Sequence, residues 1–348
     1  MPPAPRVLSV LGEIGSNFFE QTPPDSSGRW WPAANAVGHF ILPLYFLAIN
    51  MTSHLGELAA LATAVCWTIT ALAFESAAKR IGSVAVNAFK LTAGFLLLTA
   101  FNSLFRGQPL PFDAPAHAWL WLSLSGVVGF VVGDYLLFKS YTIISARIAM
   151  LIMALAPPMA GLLGWVFLGE TLSPQDFVGI GLTLAGIALV VLKKSNGRAQ
   201  LRFKHPLPGI MLALGGAAGQ AGGLILSKYG MGEFNAFGAT QIRVLAGMAG
   251  FLALFTYRGG WRDLNRIFGN RPLLSTMALG SAFGPFLGVS FSLLAVQQTN
   301  TGVAATIMAI VPVLIIPPSV LIFRQKVTWL EAAGAVVAVC GVALLFIK

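Results

Sequence analysis

The chain repeats one pattern of residues twice, and this repeat constrains its fold more than any other feature. When the sequence is shifted by 155 residues, several residues between Gly129 and Leu189 coincide with identical residues between Gly284 and Leu344. A shift of 153 does the same for the earlier part and places Lys90 on Arg243. If each copy crosses a membrane an odd number of times, the second copy is inverted relative to the first. The repeat therefore predicts two inverted blocks with a site at their seam.

The composition excludes an ordinary soluble protein. Of the 348 residues, 56% are hydrophobic and only 10% are charged, whereas soluble domains carry about 25% charged residues. This shortfall predicts an all-α polytopic membrane protein. The net charge of +10 comes from basic residues in the loops between apolar segments, so it indicates membrane orientation rather than nucleic-acid binding.

Ten segments approach the length of about 20 mostly apolar residues that a membrane-spanning helix needs. In the first block they are Leu58–Phe74, Ala88–Phe105, Ala118–Phe138, Ile148–Leu168 and Phe177–Leu192. In the second block they are Gly209–Leu226, Phe237–Tyr257, Leu273–Val296, Val303–Phe323 and Trp329–Ile347. The predicted fold is therefore ten transmembrane helices in two inverted five-helix repeats.

The predicted organisation has four parts. They are an N-terminal extension (residues 1–54), a first repeat (55–194), a basic linker (195–207) and a second repeat (208–348). Met1–Gly28 is polar and Pro-rich, which favours disorder. Trp30–Ile49 is apolar but contains Pro32 and Pro43, so an interfacial segment and an eleventh span both fit. A translation start at Met51 is a third reading, because nothing upstream has a counterpart in the second repeat.

Charge also predicts which way up the core lies. The five loops on one side hold fifteen Lys and Arg residues, and the opposite side of the core holds three, Arg106, Lys228 and Lys348. Loops rich in Lys and Arg stay in the cytoplasm. We therefore expect the C-terminus of the core to lie outside.

Two motifs and a pair of basic residues carry a family resemblance. The first copy has Met153-Ala-Leu-Ala-Pro-Pro, then Leu168-Gly-Glu-Thr-Leu-Ser and two spaced glycines. The second copy has Met308-Ala-Ile-Val-Pro, but Gln325 stands at the position of Glu170. With Lys90 and Arg243 early in the second and seventh helices, the chain resembles the drug/metabolite transporter superfamily, in particular proteins with two EamA domains. The resemblance covers roughly Gly56 to Lys348.

The resemblance implies a function. Its members carry small metabolites, mostly by proton coupling or exchange and without a cofactor, and ten-helix members usually keep both termini in the cytoplasm, which disagrees with the charge count. We expect a secondary-active exporter of an amino-acid-like or other small organic solute in the plasma (inner) membrane, working by alternating access. Its partners would be the solute and the lipid bilayer, and a homodimer is left open. A structural or interaction protein that transports nothing is the alternative.

Asp134 is the sharpest candidate for a functional residue, because a charge at membrane depth costs about 2.5–3.5 kcal/mol on insertion scales and usually faces protein or water. Its counterpart in the second copy is Val289. Asp134 would couple protons or bind a substrate amine. The competing interpretation is that it pairs with Lys139 or Arg147 and orders a helix end.

Other candidate residues fall in symmetric pairs. Lys90 and Arg243 would bind an anionic group or bridge helices. Glu75 and Lys228 occupy equivalent positions with opposite charge and would form gates, although solvated charges at helix ends explain them more simply. A further group of candidates would line the site or kink its helices, namely Trp67, Gln220, Tyr135, Pro157 and Pro312. Ordinary packing and static kinks are the alternatives for this group.

No pattern indicates an enzyme. The histidines His39, His54, His117 and His205 have no metal-ligand spacing, and no Gly-rich phosphate loop is present. We therefore expect no catalytic residue, metal or cofactor. A polar cleft lined by Asp134 between the blocks would favour transport, and a dry, packed seam would favour the structural alternative.

Overall fold

A computed structural model describes residues 54–168, 173–194, 201–259, 261, 268–299, 301–322, 324 and 326–344. The predictions for Met1–Gly28, Trp30–Ile49 and a start at Met51 lie outside this range, as do Glu170 and Gln325 of the two motifs. Apart from the first residue of the first helix, the helices described below lie in one unit, Gly56–Lys348.

The first repeat contains six helices in five segments, because its fourth segment is broken. They are α1 (Leu55–Ile81), α2 (Ser83–Arg106), α3 (Ala116–Tyr141), α4 (Ala146–Met153), α5 (Ala156–Leu168) and α6 (Pro174–Val191). A short antiparallel pair, β1 (Leu192–Lys194) and β2 (Leu201–Phe203), then leads into the second repeat. The sequence had suggested only a basic linker there.

The second repeat follows the same order, with its ninth segment broken into three helices. Its helices are α7 (Leu207–Met231), α8 (Ala236–Tyr257), α9 (Arg271–Gln298), α10 (Thr301–Met308), α11 (Val311–Leu314), α12 (Ile316–Leu321) and α13 (Trp329–Leu344). Among the described residues, seven helical stretches are long and apolar enough to cross a membrane, and three shorter apolar helices complete the ten predicted segments.

Local sequence fixes where several helices begin and end. Gly82 has a φ of 81° and separates α1 from α2 without a loop, a backbone angle that glycine adopts at little cost. The side chain of Asn235 accepts hydrogen bonds from the backbone of Phe237 and Gly238 at the start of α8. Asn270 does the same for Leu273 in α9. Such caps satisfy amides that a helix leaves unpaired at its start.

The two repeats interlock through close helix contacts. In α3, Gly133 faces Gly219 of α7, since a Cβ added at Gly219 would lie 2.6 Å from the Gly133 Cα. The symmetric crossing joins α9 to α1, where a Cβ added at Gly284 would lie 3.0 Å from Thr70 Cγ2. Small residues let membrane helices approach this closely. The first and third segments of each repeat therefore pack against the third and first segments of the other.

The outer surface of the bundle is apolar. Large hydrophobic side chains such as Leu104, Phe105, Val166 and Leu321 are between 65% and 80% exposed. A water-soluble monomer rarely presents so much apolar surface, whereas a bilayer covers it. The fold is therefore that of an all-α polytopic membrane protein, as the composition predicts.

Candidate functional site

A cavity of about 170 Å³ lies where the two repeats meet. Side chains from the first to fourth and the sixth to ninth segments form its wall, and most of them are apolar. Seven of the residues singled out from the sequence line it, namely Trp67, Lys90, Asp134, Pro157, Gln220, Arg243 and Pro312. Tertiary structure thus brings together, at the seam of the repeats, positions up to 245 residues apart in the chain.

A buried ion pair is the centre of the site. Lys90 Nζ in α2 lies 2.5 Å from Asp134 Oδ2 in α3, and the side chains are only 5% and 7% exposed. Gln220 of α7 donates from Nε2 to the other oxygen of Asp134, Oδ1, at 2.7 Å. Both carboxylate oxygens therefore have a donor, which satisfies the condition for keeping a charge in a low-dielectric interior. Asp134 does not form an ion pair with Lys139 or Arg147, which was the competing interpretation.

Aromatic rings complete the surroundings of the lysine. The ammonium of Lys90 lies 4.4 Å from the centre of the Phe138 ring and 5.8 Å from that of Phe130. Ring faces attract cations at such distances. The lysine is therefore fixed from several directions, by a carboxylate and by two rings of the same helix, α3.

A π-helical stretch positions Asp134. Within α3, residues Val127–Asp134 are wound as a π-helix, and residues Ala282–Gly288 of α9 are wound in the same way. One extra residue per turn widens the helix and redirects the side chains that follow, and such turns are frequent at functional sites. The sequence analysis did not predict them. Pro285, which cannot donate a backbone hydrogen bond, is a signal for the second stretch.

Arg243 of α8 also lies in the cavity wall. It is 4% exposed, and its guanidinium carbon lies 5.1 Å from the centre of the Phe130 ring. The Nε atom is buried and has no hydrogen-bond partner among the described residues. A Cβ added at Gly129 would lie 3.4 Å from its Nη2, so the glycine leaves room for the guanidinium beside α3.

Three of the sequence candidates do not line the cavity. Tyr135 is half-buried, and its hydroxyl accepts a hydrogen bond from Arg258 Nη2 at 3.3 Å. Glu75 is buried and accepts from Lys79 one helical turn away, at 2.6 Å. Lys228 is exposed near the end of α7. No described contact joins Glu75 to Lys228, and the gate role for these two residues stays a prediction.

A second charged cluster, which the sequence analysis did not single out, lies at one end of the bundle. Glu331, in the first turn of α13, pairs with Arg147 at 3.1 Å and with Lys204 at 2.6 Å. Glu331 thereby joins the tenth segment to the fourth segment, through Arg147, and to the residue that follows β2, Lys204. Beside it, burial and then the Lys204 ammonium lower the pKa of His205 below its ordinary value, so the imidazole is neutral at neutral pH. For this cluster, the sequence signal was Glu331 itself, because an acidic residue in the first turn of a helix is stabilised by the helix dipole.

The proline positions coincide with the helix breaks. Pro157 stands in the first turn of α5 and Pro312 in the first turn of α11, each just after an interruption of a segment. Proline tolerates these positions because its missing N–H would have no intrahelical partner there. The two breaks flank the cavity from opposite repeats.

Comparison with known proteins gives a family and a fold. The model of the EamA-like transporter family matches the chain twice, over residues 54–192 and 207–347. Solved structures of 28 chains also match. One of these, described only as "Crystal structure of protein", shares 19% sequence identity over 83% of this chain and 95% of its own, with a TM-score of 0.55. At that identity the likeness shows the fold alone. No curated protein matches.

Proposed function

The chain belongs to the EamA-like transporter family, and from that premise we propose that it is a secondary-active exporter of a small organic solute. It is a multi-pass membrane transporter of the drug/metabolite type with two EamA repeats. The proposed solute is amino-acid-like or of comparable size, and the proposed location is the plasma (inner) membrane. One observation carries the proposal, namely a cavity between the repeats whose wall contains the buried pair Lys90–Asp134.

Alternating access follows from the repeat. Two inverted blocks that share a central site can expose that site to one side and then to the other by rocking against each other. The breaks at Pro157 and Pro312 lie in the cavity wall in symmetric positions, where they interrupt the backbone hydrogen bonding of the fourth and ninth segments. We assign them the role of bending points during this motion.

Asp134 is the proposed coupling residue. A proton taken up at its carboxylate would remove the negative charge that holds the Lys90 ammonium and accepts from Gln220. The contacts of Asp134 with Lys90 of α2 and with Gln220 of α7 would weaken together, because both depend on the same charge. Protonation would thereby change the packing of three helices around the solute. The outward direction rests on the family and not on any residue.

The test compares three proteins and an empty vector in the same cells. The proteins are the wild type, Asp134→Ala and, as a matched control, Asp113→Ala, which removes an exposed acid paired with Arg106 outside the cavity. Membrane levels of all three are measured first. We expect a small organic solute to accumulate in the medium with the wild type and with Asp113→Ala, and not with Asp134→Ala.

Two results would count against the proposal. If the solutes in the medium are the same with the wild type and with the empty vector, the export proposal fails for the solutes that these cells make. Uptake of added solutes into everted membrane vesicles is then measured instead. If Asp134→Ala exports as fast as the wild type, Asp134 does not couple protons to transport. A pH gradient imposed on the vesicles then shows whether any coupling exists.

A further inference from the structure

Arg243 has a positive charge that no described residue neutralises by direct contact. Its side chain is buried and lines the cavity. Within the part of the chain that the structure describes, it makes no hydrogen bond and no ion pair, and its Nε is a buried donor without an acceptor. Its neighbour Phe130 offers only a ring face. A buried donor and charge left in this state are unfavourable, so an anionic acceptor that reaches the guanidinium would stabilise the site.

The repeat explains why this arginine has no carboxylate partner. Lys90 and Arg243 are equivalent residues, and Lys90 is paired with Asp134. The residue equivalent to Asp134 is Val289, which also lines the cavity. The second repeat therefore retains the cation of the pair and lacks its anion.

The balance of charge in the cavity follows directly. Among the described residues that line it, the charged side chains are Lys90, Asp134 and Arg243. The first two neutralise each other whether the shared proton lies on the amine or on the carboxyl group. Arg243 keeps its proton in proteins. The wall therefore has an excess of one positive charge, located at a guanidinium.

We propose that the transported solute is a small carboxylate whose charged group binds Arg243. A guanidinium offers paired donors in a plane, which match the two oxygens of a carboxylate. A single negative charge neutralises the excess without creating a new one. The inference rests on the proposed transport function, because it takes the cavity as the place where the solute binds.

The rest of the wall indicates the body of that solute. Met150, Met153 and Met308 line the cavity together with the rings of Trp67 and Phe138. Thioethers and rings favour an apolar or aromatic group, and methionine adapts to its shape. A cavity of about 150 Å³ holds benzene, and this one measures about 170 Å³. A carboxylate with one ring or a short aliphatic chain fits this volume.

The test supplies the missing anion from the protein. Val289→Asp places a carboxylate at the position equivalent to Asp134, and Val289→Asn places an uncharged group of the same shape there. Equilibrium binding of radiolabelled benzoate to the full chain in detergent is measured, with hexanoate, benzamide and benzylamine as competitors. We expect saturable benzoate binding to the wild type, competition by hexanoate and none by benzamide or benzylamine.

The variants then separate charge from shape. We expect benzoate to bind at least about tenfold more weakly to Val289→Asp than to Val289→Asn, which corresponds to about 1.4 kcal/mol. If Val289→Asp does not fold, as judged by its elution as a single species, Arg243→Gln replaces it and should lose benzoate binding. Arg243→Lys, which keeps the charge, should retain part of it.

Three outcomes overturn the inference. They are equal binding of benzamide and benzoate, equal benzoate affinity of Val289→Asp and Val289→Asn (or unchanged affinity of Arg243→Gln where Val289→Asp does not fold), and no binding of either carboxylate. Transport of the same compounds, measured in proteoliposomes, distinguishes failure of the carboxylate inference from failure of the transport proposal. Carriage of neutral or cationic compounds without carboxylate binding refutes the carboxylate and leaves transport intact. Carboxylate binding without carriage of any compound refutes transport and leaves the anion site intact.

Discussion

The third segments of the two repeats, α3 and α9, have the same architecture and different chemistry. Each contains a π-helical stretch at equivalent positions, and each packs against the first segment of the other repeat. The stretch in α3 ends in Asp134, whereas the stretch in α9 is followed by Val289. The repeated backbone builds a symmetric cavity, and one side chain makes that cavity chemically asymmetric.

The helix crossings differ in a second way. Where α3 meets α7, glycine meets glycine, and backbone atoms set the distance between the helices. Where α9 meets α1, glycines instead face the side chains of Trp67, Thr70 and Phe74. Side chains can rotate to relieve a contact, and a backbone cannot do so without moving the helix. The crossing next to Asp134 is therefore the less adaptable of the two.

The largest expected difference between the repeats concerns their basic residues. Lys90→Met leaves the Asp134 carboxylate buried without its cation, and breaking a buried pair costs about 3–5 kcal/mol. Arg243→Met removes a cation that has no ion-pair partner among the described residues and contacts the Phe130 ring, so its cost should stay below about 1 kcal/mol. The midpoints of thermal unfolding in detergent measure both.

A double variant serves as the control for this prediction. Lys90→Met combined with Asp134→Leu removes both charges and should recover most of the stability that Lys90→Met loses, because apolar residues often replace a buried pair without loss. Equal destabilisation by Lys90→Met and Arg243→Met would contradict the asymmetry of the two repeats.

A smaller difference is expected at the helix crossings. Gly219→Ala forces a methyl group against the Cα of Gly133, and overpacking of this kind costs about 1–3 kcal/mol. Gly284→Ala meets the methyl group of Thr70, whose hydroxyl has no hydrogen-bond partner among the described residues, so that side chain can rotate at little cost. We expect Gly284→Ala to lose less than about 1 kcal/mol.

Thermal unfolding of the two alanine variants checks this order, and Gly181→Ala is a suitable control because a Cβ there meets nothing within 4 Å. A larger loss for Gly284→Ala than for Gly219→Ala would show that the α9–α1 crossing is the rigid one.

The smallest difference is expected at the prolines, where the repeats agree. Pro157→Ala and Pro312→Ala both act in the first turn of a helix, where the proline ring disturbs nothing and mainly restricts the unfolded chain. Each should lower stability by about 0.4–1 kcal/mol, and the two values should be equal within error. A clear inequality in their unfolding midpoints would mean that the two helix breaks are not equivalent.

Much of the fold could be predicted from the sequence because its signals are local or periodic. A run of apolar residues indicates a membrane-spanning helix wherever it folds, and the offset between Lys90 and Arg243 reveals the repeat without any knowledge of contacts. The expectation that Asp134 faces protein or a cavity followed from similar reasoning, since charged groups inside apolar segments avoid lipid.

Other features of the site required three dimensions. Tyr135 follows Asp134 in the sequence, but one residue turns a helix by about 100°, and the ring points instead toward Arg258. The cluster of Arg147, Lys204 and Glu331 joins residues that are up to 184 positions apart. No spacing in the sequence indicates that these three side chains meet.

The sequence by itself determined that this chain is a membrane protein of two repeated blocks with charges held inside the bilayer, because hydropathy and repetition are properties of the chain alone. Only the tertiary structure decided which charges meet. Lys90 is 44 residues from Asp134 and 153 from Arg243. Because of the way α2 and α8 pack around α3, Asp134 forms its ion pair with Lys90, and Arg243 lines the cavity without one. An ion pair depends on distances of a few ångströms, and those distances exist only once the helices have packed.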